Sequence, residues 1–239
     1  MSKFQSFGER GSHTVIFKFS DARTQPARVL MSKRDVIGFE ERTSPIEIAK
    51  LLDCTSWSGV GPGLMDAATK GALQAGKPVG GFKIGKESGQ WAASNFHQYL
   101  PIETYFTCRF FSARKHGLVD AAVRSSSSDR TGVVALPGGI GTLDEVFEIL
   151  ALIQLERIGS EFPVPFLLMN YDSFYSKLLD FLDDCEKWGT LSKGEVASLW
   201  KVCNNNSDAL AYLADFYSLP LSVEGLETEE QSLRGTVPS

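Results

Sequence analysis

Short apolar runs alternate along this chain with longer segments whose apolar residues recur every three or four positions. The short runs predict strands at His13 to Phe19, Cys54 to Trp57, Pro78 to Phe82, Val133 to Leu136 and Val164 to Met169. The longer periodic segments predict helices. These cover Ser44 to Leu52, Leu64 to Ala72, Phe106 to Ala122, Leu143 to about Leu155, Asp172 to about Asp184, Ser192 to Trp200 and Ser207 to Phe216. Ser44-Pro45-Ile46-Glu47 carries three helix-start signals together: a Ser N-cap, Pro at the first helical position and Glu at the third. Residues Gln25 to Arg42 follow neither period, and Lys83 to Pro101 reads as a polar loop.

Strands without polar alternation are those buried on both faces, so the pattern predicts a parallel sheet covered by helices on each side. Right-handed crossovers then make it an α/β fold, a Rossmann-like doubly wound parallel sheet. One such domain is expected over residues 1–221. The acidic, polar stretch 222–239 reads as a disordered tail.

Composition narrows the function classes. The chain has 239 residues, 43% of them hydrophobic and 22% charged, which is ordinary for a globular protein with one substantial core. A net charge of −5 gives no basic face for nucleic acid. No apolar stretch approaches the ~20 residues of a membrane span, and the first residues hold no apolar signal core. The expectation is a cytoplasmic protein, an organelle interior being the other option. The four cysteines have no CxxC spacing, and with three scattered histidines they predict reduced thiols and no metal site.

The most informative segment is Pro137-Gly138-Gly139-Ile140-Gly141-Thr142-Leu143-Asp144-Glu145, directly after the predicted strand Val133 to Leu136. Glycines leave the main chain open to close approach, and a helix start adds unpaired N–H groups and a positive dipole end. The turn therefore reads as a seat for a phosphate. Glu145 has two readings. It closes a T-x-x-E capping box with Thr142, or it does chemistry beside the phosphate. A second glycine turn, Ser58-Gly59-Val60-Gly61-Pro62-Gly63, also follows a predicted strand, so both open on the carboxyl edge of the sheet, where such sheets bind ligands. Arg114-Lys115 on the helix that starts with Phe106 reads by default as a solvated pair, and Phe106, Phe110 and Phe111 read as core.

PGGIGTLDE resembles the PGGxGTxxE signature of the LOG ("lonely guy") family, formerly described as lysine decarboxylase-like. Three further segments resemble the family in order. Ser58 to Met65 is similar to its GGGPGxM turn, Phe110 to Lys115 to its FFxRK helix, and Phe19 to Thr24 to the loop after its first strand. The likeness spans roughly His13 to Tyr217. It implies a nucleoside 5′-monophosphate phosphoribohydrolase that needs no cofactor and releases a free purine or cytokinin base and ribose 5-phosphate. It implies Arg114 and Glu145 as the catalytic pair. It implies nucleotide-binding roles for Ser58, Gly59, Gly61, Met65, Lys115, Pro137, Gly138, Gly139, Gly141 and Thr142, and a homodimer. The alternative within the same superfamily is a non-catalytic nucleotide or molybdenum-cofactor carrier. Nothing marks a pyridoxal-phosphate lysine for amino-acid decarboxylation. Val60 replaces the middle glycine of the second turn, and a β-branched side chain there is expected to crowd a phosphate.

Overall fold

The computed structural model describes residues 14–19, 44–61, 64–87, 90–91 and 99–221. The expectations for Gln25 to Arg42, for the loop from Ser20 to Thr24, for Pro62 and Gly63, and for the tail 222–239 fall outside them. Among the described residues, seven strands form one sheet, in the order β6, β3, β2, β1, β7, β8, β9. They are β1 (Thr14–Phe19), β2 (Thr55–Ser58), β3 (Val79–Ile84), β6 (Tyr105–Cys108), β7 (Arg130–Ala135), β8 (Phe166–Met169) and β9 (Lys201–Cys203). Two short strands, β4 (Lys86–Glu87) and β5 (Gln90–Trp91), pair separately.

The α/β class holds, with one change inside the sheet. Strands β2, β3 and β6 are mutually parallel, as are β7, β8 and β9, but β1 runs antiparallel to both β2 and β7. The sheet is therefore mixed at its centre. A strand's apolar pattern is unchanged by reversal, so its direction is not written in its own residues. The chain winds outward from β1 on both sides. β2 and β7 flank the point where the winding reverses, and their carboxyl ends lie on the same edge.

The helices are α1 (Ser44–Leu52), α2 (Leu64–Gln74), α3 (Phe111–Ala122), α4 (Ile140–Gln154), α5 (Ser176–Lys187), α6 (Glu195–Leu199) and α7 (Asn206–Tyr217). α1 packs on α2 and α7, while α3 crosses β1, β2 and β3 and is tied by ion pairs to α4. The apolar runs fill the core: Trp57, Val133, Val134, Leu136 and Phe166 to Met169 are all buried. At about 25 cal/mol per Å² of apolar surface, this burial is the main stabilising contribution.

Several boundaries differ from the expectation. The predicted helix from Phe106 begins only at Phe111, because Tyr105–Cys108 pairs with β3 as an edge strand. Phe106 is consequently 43% exposed and Phe110 63% exposed, so neither is core. Phe106 still stacks on Phe82, which stacks on Trp57, with centroids 5.3 and 5.2 Å apart. The helix expected from Asp172 starts at Ser176, after a short 3-10 turn over Tyr171–Ser173. Strand β9 was too short to register as a pattern. All four cysteines are free; Cys54 and Cys203 are buried and Cys108 and Cys185 half-buried.

Candidate active site

Two turns meet at the reversal point. After β7 the chain passes Leu136, Pro137, Gly138 and Gly139 and enters α4 three residues earlier than expected. Gly139 is the N-cap, extended at φ −88° and ψ −160°, and no side chain caps the helix. The amides of Thr142 and Leu143 donate to the Gly139 carbonyl at 3.0 and 3.1 Å. Thr142 thus stands inside the first turn. The T-x-x-E capping box does not form, because glycine at the cap position supplies no side-chain acceptor. The buried Thr142 hydroxyl has no hydrogen-bond partner among the described residues.

Glu145 lies one turn into α4 and is 2% exposed. Its Oε1 is 3.4 Å from Nη2 of Arg114, which is 1% exposed on α3. The default reading of Arg114 as a solvated charge is thereby overturned. The helix brings its guanidinium inward, over the Phe111 ring at 5.5 Å and against Gly59 of the other turn. A Cβ at Gly59 would overlap Nη2 and Cζ of Arg114, so any larger residue here would displace the guanidinium from its present position. Removing one partner of such a buried pair leaves the other charge uncompensated, at about 3–5 kcal/mol.

Lys115, the next residue, faces differently. Its Nζ lies 3.0 Å from both Asp144 and Glu148 of α4. Burial works to lower its pKa, but the hydrogen bonds to Glu148 and Asp144 outweigh that and raise it. Lys115 spends its charge on joining α3 to α4.

In the first turn, the buried Ser58 hydroxyl accepts the Val60 amide at 3.1 Å and lies 3.3 Å from the Thr69 hydroxyl. The Gly61 amide faces Met65 Sδ at 3.4 Å, and Thr69 donates to the Met65 carbonyl at 2.9 Å. Ser58, Gly61 and Met65 therefore hold the turn's own shape. Val60 has φ +56°, a left-handed conformation that its β-branched side chain tolerates poorly. That side chain packs on Gly81 of β3, so closely that a Cβ at Gly81 would overlap Val60 Cγ2.

One residue of this cluster had no signal in the sequence. Tyr175, from the segment after β8, is buried and donates its hydroxyl to the Leu136 carbonyl at the start of the glycine turn. Burial pushes its phenol well above the ordinary tyrosine pKa, opposed by the Gly138 amide at the same oxygen. Only its tertiary contact with Leu136, distant in sequence, could have pointed to it.

Residues 65–213, more than half of the chain, match the model of the family described as possible lysine decarboxylase. The chain belongs to this family. The match includes Met65, Arg114, Lys115 and the whole PGGIGTLDE segment. Curated relatives carry the LOG name. Cytokinin riboside 5′-monophosphate phosphoribohydrolase LOG3 of Arabidopsis thaliana is 39% identical over 59 residues, 25% of this chain and 26% of that protein. The probable cytokinin riboside 5′-monophosphate phosphoribohydrolase LOGL6 of Oryza sativa subsp. japonica is 44% identical over 50 residues, 21% of this chain and 18% of that protein. The chain thus spans about a quarter or less of each relative it matches. Among solved structures, the molybdenum cofactor carrier protein of Chlamydomonas reinhardtii is 20% identical with a TM-score of 0.47, covering 73% of this chain and 86% of that one. No helix among the described residues is long and apolar enough to cross a membrane.

Proposed function

We propose that this protein is a nucleoside 5′-monophosphate phosphoribohydrolase that releases a purine base, of the cytokinin type, from its ribose 5-phosphate. The observation that carries this reading is the buried Arg114–Glu145 pair, set between two glycine turns at the reversal point of the sheet. The 5′-phosphate is seated at the Gly138–Gly139 turn and the N-terminus of α4, where backbone amides and the helix dipole favour an anion. Seating it holds the ribose over Glu145 and turns remote binding into orientation.

Cleavage breaks the bond between C1′ and the base nitrogen. Its electron pair leaves with the base, which is protonated, and water adds to C1′. The sugar becomes oxocarbenium-like on the way. A carboxylate beside it stabilises that cation and takes the proton of the attacking water, as carboxylates do at glycosidic centres. Arg114 orients Glu145 and brings its positive charge toward the phosphate or the departing base. Lys115 acts through the helix pairing, since its charge is matched by Asp144 and Glu148.

The test is a panel of nucleoside monophosphates incubated with the purified protein, with free base and ribose 5-phosphate measured together. Equimolar appearance of both is expected. Tight binding of a monophosphate without turnover would replace the hydrolase by a carrier, and neither binding nor turnover would end the reading altogether.

A further inference from the structure

The Pro137-Gly138-Gly139 turn has little to hold its own shape. Its N-cap has no side chain, no cap bond forms, and a Cβ at Gly139 would meet nothing within 4 Å. Glycine in such a place samples many conformations unless something outside the turn fixes it. The structure holds that outside contact in Tyr175.

The tyrosine is brought there at a cost. Asp172 and Ser173 are both left-handed, with φ 50° and 60°, and neither is glycine. Consecutive non-glycine residues in that region persist only where the surroundings over-determine them, and such strain clusters at functional sites. The surroundings here are visible. The Asn170 amide donates to the Cys203 carbonyl of β9 at 2.7 Å, and the Asn170 Oδ1 accepts the Tyr175 amide at 2.7 Å. The segment is thus bolted to the neighbouring strands and swings Tyr175 beneath the turn. There its hydroxyl donates to the Leu136 carbonyl, and its oxygen faces the Gly138 amide. A phenylalanine would fill the same volume without burying a polar atom, so packing alone does not account for the hydroxyl.

We propose that Tyr175 is a positioning residue: its hydroxyl clamps Leu136 and Gly138 from below and holds the glycine turn in the shape that receives a nucleotide's phosphate. The inference rests on the phosphate seat of the proposed function. Tyr217 provides a matched control. Its hydroxyl grips the same strand β7 at the other end, donating to the Thr131 carbonyl at 2.6 Å and accepting the Thr131 amide at 2.9 Å. Loss of either hydroxyl removes a tyrosine hydrogen bond at one end of the β7 segment, at Leu136 just after it or at Thr131 within it, but only one of them lies at the turn.

The experiment compares the wild type, Tyr175→Phe and Tyr217→Phe as full chains. Titration calorimetry follows inorganic phosphate, AMP and adenosine, and amide exchange is read at Gly138 and Gly139 without ligand. In Tyr175→Phe, exchange at the turn should quicken about tenfold. Affinity for phosphate and AMP should fall about tenfold, while adenosine binding is unchanged. Where turnover is seen, KM for AMP should rise with kcat within about twofold. Tyr217→Phe should lose stability without any of these changes. A Tyr175→Phe protein that binds AMP as the wild type does, or that loses AMP and adenosine affinity equally, overturns this inference alone. A wild type that binds neither phosphate nor AMP overturns the proposed function and this role with it.

Discussion

Arg114 and Glu145, 31 positions apart on α3 and α4, meet with Nη2 and Oε1 3.4 Å apart in almost complete burial. Two charges so placed are a poor investment for stability alone. A well-packed apolar pair would often do as well or better. Their position beside the glycine turns makes them the centre of the predictions that follow.

Glu145→Gln should abolish base release and leave monophosphate binding largely intact. With no capping box at stake, the stability cost comes from Arg114, whose buried charge loses its counterion. A loss of about 3 kcal/mol is expected, at the low end for such pairs, because Gln keeps a hydrogen-bond acceptor. Turnover within about tenfold of the wild type, only ~1.4 kcal/mol of transition-state stabilisation, would count against a catalytic role.

The 5′-phosphate should dominate binding. AMP should be held at least about tenfold more tightly than adenosine, because the seat consists of backbone donors and a helix terminus that select an anion. Calorimetry giving equal affinities for the two would sink the seat as proposed.

Val60 and Gly81 should behave as a coupled pair. Gly81→Ala forces a Cβ into Val60 Cγ2 and should cost about 1–3 kcal/mol, as overpacking does. In a Val60→Gly background most of that cost should vanish. Val60→Gly by itself should leave monophosphate affinity within about threefold, because the side chain lies on β3. Additive denaturation energies in the double-mutant cycle would show that the contact is absent. A tenfold gain in affinity would show that valine crowds the ligand after all.

Lys115 should contribute stability that disappears in alkali. Its folded pKa is raised above the ordinary lysine value by its two carboxylate partners, so the protonated form is favoured by folding. The contribution is therefore fully present below about pH 10 and is lost as pH rises through the folded value. Denaturant midpoints of wild type and Lys115→Met should differ at neutral pH and converge as pH rises through the raised folded pKa. A difference that stays constant across that range would rule out the charge as its source.

The chain should form at least a homodimer through α4. Val146, Ile149 and Leu150 face the core, yet Ile140, Phe147 and Leu155 of the same segment remain exposed. A helix apolar on a second side is covered by a partner more often than by water. Light scattering should give a multiple of 26.2 kDa, and Phe147→Glu should reduce it to that mass. A wild type already at 26.2 kDa at micromolar concentration would refute it.

What the residues alone determined is the local grammar. Short uninterrupted apolar runs bounded by turn residues, such as Val133 to Leu136, read as buried strands, and glycines after them read as turns open to close approach. Hence the α/β class, the two turns and their common edge were legible, and so was Glu145 beside the glycine turn, whereas Arg114 stood out only through the family resemblance. What the tertiary structure decided is everything that depends on distance between segments. A strand's side-chain pattern reads the same in both directions, so the reversal of β1 came from its neighbours. Phe106 became an edge residue because β3 was free to pair with it. Thr142 lost its cap role to Gly139 by a shift of one helical turn. Lys115 could not be told from a ligand-binding cation until Asp144 and Glu148 were beside it. Tyr175 carries no motif at all, since its hydroxyl matters only because the chain brings the Leu136 carbonyl against it.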